Sequence, residues 1–229
     1  KHQFHVHYAM KANFNEMVLN KIKAIGFGAD CVSGGEVSKA VAMGFAKDKI
    51  VFAGVGKADK EIIDALENDI FCFNVESLQE LEVIDELARS RNKVAKVAIR
   101  INPNVDAHTH ANITTGLDEN KFGINSWDMP ACADILNVSA NLEFVGIHFH
   151  IGSQITNLDV YKNLCVRVNE FAAWFEDRGL SVKGHGGAEP LIPSIQVSSN
   201  CYFSYAFISI MNKYPGNPTK GVNEWKEIM

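Results

Sequence analysis

Tyr8-Ala9-Met10-Lys11-Ala12-Asn13 decides how this chain is read, because it occupies the junction between the first strand and the first helix. The apolar run over residues 4–10 predicts a strand, and residues 14–25, closed by Gly26, predict a helix behind it. An open doubly wound sheet would place a glycine-rich phosphate turn at this junction. The junction holds Lys11-Ala12-Asn13 instead. A lysine at that strand end is expected to be dry enough to shed its proton and open enough to meet a carbonyl, as a Schiff-base nucleophile requires. From position alone, a surface lysine snorkelling at a strand end is the other reading.

Working outward, the alternation persists. Strands are predicted over 29–32, 49–53, 70–75, 94–101 and 142–150, and helices over 36–43, 57–66, 78–89, 129–136 and 158–178. The strand runs are short, β-branched and apolar on both sides, as parallel strands covered by helices are. Their spacing matches the βαβ module. Six such units, with chemistry-bearing residues at the strand ends, predict an α/β fold of the (β/α)8 TIM-barrel type, incomplete because eight units close a barrel. A doubly wound sheet is the structural alternative.

The pattern stops near residue 184. Two parts are therefore expected, barrel units over 1–183 and a divergent tail over 184–229. The tail holds Pro190, Pro193, Pro215 and Pro218, and its apolar run 203–211 reads as strand or buried helix. With 47% hydrophobic and 21% charged residues among 229, the chain is globular in composition. A net charge of -5 without like-sign blocks gives no sign of a nucleic-acid or membrane-surface partner. Five scattered cysteines, none in a C-x-x-C pair, predict neither a disulfide framework nor a zinc site, and suit a reducing cytoplasm. Cys31 and Cys72 read as small core residues. No apolar run approaches the roughly 18 residues of a membrane span. The chain begins at Lys1 without an initiator methionine and is expected to be a fragment.

Further strand ends carry chemistry. Arg100 ends an apolar strand, where a guanidinium without an anion would be costly, although a surface-capping arginine is the bland reading. His148 and His150 lie two apart on one strand and so face one side. Gly152 and Ser153 come next, one permitting close backbone approach and the other offering a hydroxyl. Asp30 ends the second strand, placed to pair with Lys11 and tune it. Ser33 is expected to cap the next helix, with Glu36 completing a capping box. A long loop after Arg100 carries Thr109-His110-Ala111-Asn112-Ile113-Thr114-Thr115-Gly116 and Lys121-Phe122-Gly123-Ile124. Loops at such strand ends are more often functional than ornamental. The pairs His5/His7 and His108/His110 invite a metal-hydrolase reading, but no late strand end offers the aspartate such a site needs, so no metal is expected.

Together, Tyr8–Asn13, Arg100-Ile101-Asn102-Pro103, Lys121-Phe122-Gly123-Ile124 and His148–Gln154 resemble the group IV pyridoxal-phosphate decarboxylases of the alanine racemase-like barrel fold. Within them the chain is most similar to the diaminopimelate decarboxylase family, the loop after Arg100 being the main ground. The resemblance covers roughly residues 4 to 183. It implies that pyridoxal 5'-phosphate is held covalently by Lys11, which later moves protons. It further implies that His150 stacks on the ring, that Ser153 helps hold the cofactor, and that Arg100 lies near the ring oxygen or a neighbouring carboxylate. Asp30 beside Lys11 agrees with the family pattern, and His148 reads as structural.

Past residue 183 the resemblance fails. Gly186 and Gly187 are a remnant of the family's phosphate loop, and Glu189-Pro190 is followed by Leu191 where the family has glycine. The family's C-terminal β-domain has no counterpart, so the chain alone is expected to be poorly stable and inactive. The implied reaction is decarboxylation of meso-diaminopimelate to L-lysine and CO2 by a cytoplasmic carboxy-lyase, homodimeric at full length. An ornithine- or arginine-type decarboxylase and a non-catalytic cofactor-binding barrel are the alternatives.

Overall fold

Each strand here is too short to bury both faces unaided, and the helix after it supplies the cover. A computed structural model describes residues 5–103, 122–152 and 159–181. The strands are β1 (His7–Ala9), β2 (Gly28–Cys31), β3 (Ile50–Phe52), β4 (Cys72–Val75), β5 (Ala95–Arg100) and β6 (Leu142–His148). Helices α1 (Glu16–Ala24), α2 (Gly34–Ala42), α3 (Asp59–Glu67), α4 (Leu78–Ser90), α5 (Met129–Val138) and α6 (Asp159–Glu176) follow them in turn.

All neighbouring strands run parallel, in the order β1-β2-β3-β4-β5-β6. A doubly wound sheet reverses its order at a switch point, and a barrel does not. Consecutive helices α2 to α5 also touch one another, so they lie on one side of the sheet. The fold is thus an α/β arc of the (β/α)8 type, six strands of it among the described residues.

Alternation along the strands divides the sheet into two faces. Ala29, Cys31, Ile50, Phe52, Phe73, Val75, Val97 and Ile99 join one large cluster with residues from all six helices. The residues between them point the other way, where a small cluster of Val51, Cys72 and Ala98 lies. The first face is the outer, helix-covered side, and the second is the inner side.

The pairing of β5 with β6 shifts register between Val97 and Ala98, which pair with Phe144 and Gly146, so Val145 is an extra residue on β6. Phe144 packs in the outer cluster before this bulge, and Ile147, Phe149 and Ile151 do so after it.

Helix starts reflect local chemistry. Ser33 Oγ accepts from Glu36 N–H at 3.2 Å, the expected cap. The Glu36 carboxylate does not close the expected reciprocal box on Ser33. It reaches one residue further back, accepting from Val32 N–H at 2.8 Å, because the strand delivers that amide unpaired at its end. Gly34 has no room for a Cβ, since the Glu61 side chain stands 2.5 Å from where one would be, accepting from Gly34 N–H at 2.7 Å. The predicted strand 4–10 is shorter in the structure, because Met10–Ala12 winds into a 3-10 turn. Among the described residues no helix is long and apolar enough to cross a membrane.

Candidate active site

The carboxyl ends of the strands bring the polar residues together. Asp30, Asn74, Arg100 and His148 each sit between two residues of the outer cluster, so each faces inward. His150, between Phe149 and Ile151, continues the same side. Lys11 lies in the turn that ends β1. Tyr8 holds that turn by donating to Asn13 O at 3.3 Å, and Asn15 caps α1 by accepting from Met17 N–H at 2.9 Å.

Lys11 is exposed, not dry as its strand-end position suggests. The 3-10 turn carries it past the last paired residue, so its ammonium stands at the mouth rather than within the wall. Asp30 is partly open as a residue, but its Oδ1 is buried with no hydrogen-bond partner among the described residues. Burial pushes its carboxyl up to about 7; Lys11 opposes the rise, Glu36 adds to it and Arg100 opposes it. Lys11 helps Asp30 ionise, without the contact that a hydrogen-bonded pair would show.

Arg100 is buried, which removes the surface-capping reading. Its Nη1 donates to both oxygens of Glu76, at 2.7 and 2.8 Å, and Glu76 is buried as well. Nε and Nη2 lie outside that pair. The Phe122 ring covers the guanidinium at 5.4 Å. Gly123, at φ +81°, brings its backbone so close that a Cβ would stand 3.2 Å from Arg100 Cγ. Ile124 N–H then donates to Arg100 O at 2.7 Å, and Asn102 N–H to Ile124 O at 3.0 Å. The Phe122-Gly123-Ile124 motif thus returns the long loop to β5 as a clamp on Arg100.

Behind Glu76 lies a second ion pair. The Lys57 side chain is 1% exposed, and its Nζ donates to Gly54 O at 2.7 Å, to Asn74 O at 2.9 Å and to Glu80. Glu80 accepts in turn from Glu76 N–H at 2.9 Å, and Ser77 caps α4. Ser77-Leu78-Gln79-Glu80 repeats the arrangement of Ser33-Gly34-Gly35-Glu36, carboxylate on the preceding amide included. Burial raises the Glu80 carboxyl, and Lys57 opposes this.

His150 accepts from Gly152 N–H at its Nδ1, 3.0 Å away, which leaves the proton of the neutral ring on Nε2. Burial, then Arg100 and Lys11, hold it down at about 4, so the ring is uncharged at neutral pH. His148 is pushed well below its usual range by burial and then by Arg100, and its Nδ1 is buried with no partner among the described residues.

Glu76, Asn74 and the Lys57–Glu80 pair are not singled out by sequence reasoning. A charged residue directly after the apolar run Cys72–Val75, and the repeated Ser-x-x-Glu, are the available signals. Ser153, Gly186, Gly187, Lys121, the 109–116 motif and His108/His110 lie outside the described residues. His5 and His7 sit at the opposite end of β1 from Lys11.

An amine at the mouth, an uncharged flat imidazole, a clamped guanidinium with spare donors and two orphaned buried polar atoms fit a flat aromatic ring bearing an aldehyde and anionic oxygens. The family described as "Pyridoxal-dependent decarboxylase, pyridoxal binding domain" matches residues 1–184. Diaminopimelate decarboxylase of Bacteroides thetaiotaomicron is 59% identical over 180 residues, 79% of this chain and 47% of that protein. The Aquifex aeolicus enzyme of the same name is 43% identical over 77% of this chain and 42% of its own length. The crystal structure of Helicobacter pylori diaminopimelate decarboxylase complexed with L-lysine superposes with a TM-score of 0.75 and 38% identity, over 87% of this chain and 52% of that one. The chain spans about half the length of the relatives it matches.

Proposed function

Because this chain belongs to the pyridoxal-dependent decarboxylases, through their pyridoxal-binding domain, we propose that it serves the decarboxylation of meso-diaminopimelate at its D-centre, giving L-lysine and CO2. The observation that carries this reading is Lys11 at the mouth of an inner face that also presents Asp30, Arg100 and an uncharged His150. The substrate is inferred from relatives named for it and from a neighbour complexed with L-lysine.

Pyridoxal phosphate, when bound, supplies the electron sink for the bond to the departing carboxylate. Lys11 would hold the cofactor covalently through Nζ, and the same amine would supply a group able to carry a proton. His150 would lie against the ring with its flat uncharged face, its plane fixed by Gly152 N–H. Arg100 directs its spare donors to an anionic oxygen. Asp30 presents a carboxyl beside Lys11 that gains or loses its proton near neutrality. Ser153, Gly186 and Gly187 complete the cofactor's polar contacts. Residues 1–183 form the cofactor-binding unit, and 184–229 is a divergent tail. At full length the protein works in the cytoplasm as a homodimer.

Borohydride reduction of the full chain with pyridoxal phosphate, followed by peptide mass mapping, tests the reading. One tag is expected, on Lys11, and none in Lys11→Ala. A tag on another side chain refutes the reading. Isotopic CO2 release from diaminopimelate over ornithine and arginine tests the substrate, and capture without release from any of the three supports a cofactor carrier.

A further inference from the structure

We infer that Glu76 is a positioning residue, which sets the guanidinium of Arg100 toward the cofactor with the Lys57–Glu80 pair as its fixed backing. The inference rests on the proposed cofactor site.

Four charges, on the loop after β3, at the ends of β4 and β5 and in the first turn of α4, form a closed, neutral set. Lys57 has all three ammonium donors engaged, two of them on the backbone carbonyls Gly54 O and Asn74 O. That commitment fixes Glu80, whose other oxygen holds the amide of Glu76. Glu76 is then restrained at three points, its amide by Glu80 and its carboxylate by Gly54 N–H at 3.2 Å and by Arg100. A surface ion pair has no such restraint. Arg100 answers with one nitrogen only, while Phe122 and Gly123 close on it from the loop side. A long side chain that would otherwise sample many rotamers is left one orientation, with Nε and Nη2 uncommitted to the pair. Folding alone does not call for this. A buried ion pair adds little net stability over well-packed apolar residues, so the arrangement is explained by the direction it gives the remaining donors.

The test is a double-mutant cycle read by pyridoxal phosphate affinity, measured by fluorescence titration on the full chain, with a thermal melt for each variant. Glu76→Gln keeps volume and removes the charge. It is expected to weaken cofactor affinity about tenfold, as misplacement of a contacting group does. Arg100→Met is expected to weaken it as much, and the double variant no more than either single one. Glu76→Asp, which keeps the charge but withdraws it by a methylene, is expected to lose affinity several-fold while melting cooperatively. It serves as the second variant where Glu76→Gln does not fold.

Equal losses from Glu76→Gln with and without Arg100 overturn the inference, since Glu76 would then act by another route. Wild-type affinity in a folded Glu76→Asp or Glu76→Gln does the same. A wild-type chain that takes no cofactor on Lys11 overturns both this inference and the proposed function. Capture on Lys11 with affinity indifferent to Glu76 overturns this one alone.

Discussion

The two faces of one sheet are built from the same strands and obey opposite rules. On the outer face Phe52, Phe73, Val97 and Ile99 meet helix residues such as Leu81 and Ile84, all nearly or wholly sealed from water. On the inner face, among the described residues, Val51, Cys72 and Ala98 form a small apolar cluster, and Asp30, Asn74, Arg100 and His148 are also on that side. The outer face gains free energy from area removed from water. The inner face buries polar atoms, Asp30 Oδ1 and His148 Nδ1 having no hydrogen-bond partner among the described residues, which costs stability and is tolerated where a ligand completes them. Stability and chemistry are thus separated by the thickness of a strand.

The comparison breaks most visibly at Phe73. Phe73→Ala empties the outer cluster and is expected to cost about 3–5 kcal/mol in urea unfolding. A loss below about 1 kcal/mol would show that the helix-covered side does not hold the fold.

Asp30→Asn sharpens the contrast with the opposite sign. The folded-state carboxyl stands above its ordinary 3.8, so its contribution is full below that value and is lost as pH rises through about 7. Asparagine has no charge to bury. The variant is therefore expected to be more stable than the parent at pH 8, on the order of 2 kcal/mol given Asp30's partial access to water, and to match it near pH 4. Melts across that range check this, and a variant less stable at pH 8 would contradict it.

The smallest effect lies at the rim, where the chain leaves β2 for α2. Ser33→Ala removes the cap on Glu36 N–H and is expected to cost about 1 kcal/mol at any pH between 5 and 8. A strong pH dependence would mean that the rim shares the inner face's electrostatics.

Much of the architecture is legible in the sequence. The unit repeat and the lysine-bearing junction point to a barrel, and the continuous strand order agrees. The Ser33 cap is legible because capping is local, three residues wide. Glu76 is not, because its partner Arg100 is 24 residues away and adjacent only through strand pairing. The Phe122-Gly123-Ile124 motif is visible as a motif, but its task depends on the bridge between Ile101 and Ile124, which no periodicity announces. The exposure of Lys11 escapes the sequence because a strand reading runs straight through Met10, where the backbone turns.

One extra residue in β6 decides which way the histidines look. Leu142 and Phe144 pack against helices, and unbroken alternation from them would send His148 and His150 to the same side, buried among α5 and α6 with nothing to do. Val145 inverts the parity, and both rings turn inward. With this sequence, the bulge is therefore as strict a requirement as the identity of the histidines. The same residues paired without that bulge would keep the sheet, the cap and the lysine, yet present isoleucine to the cofactor.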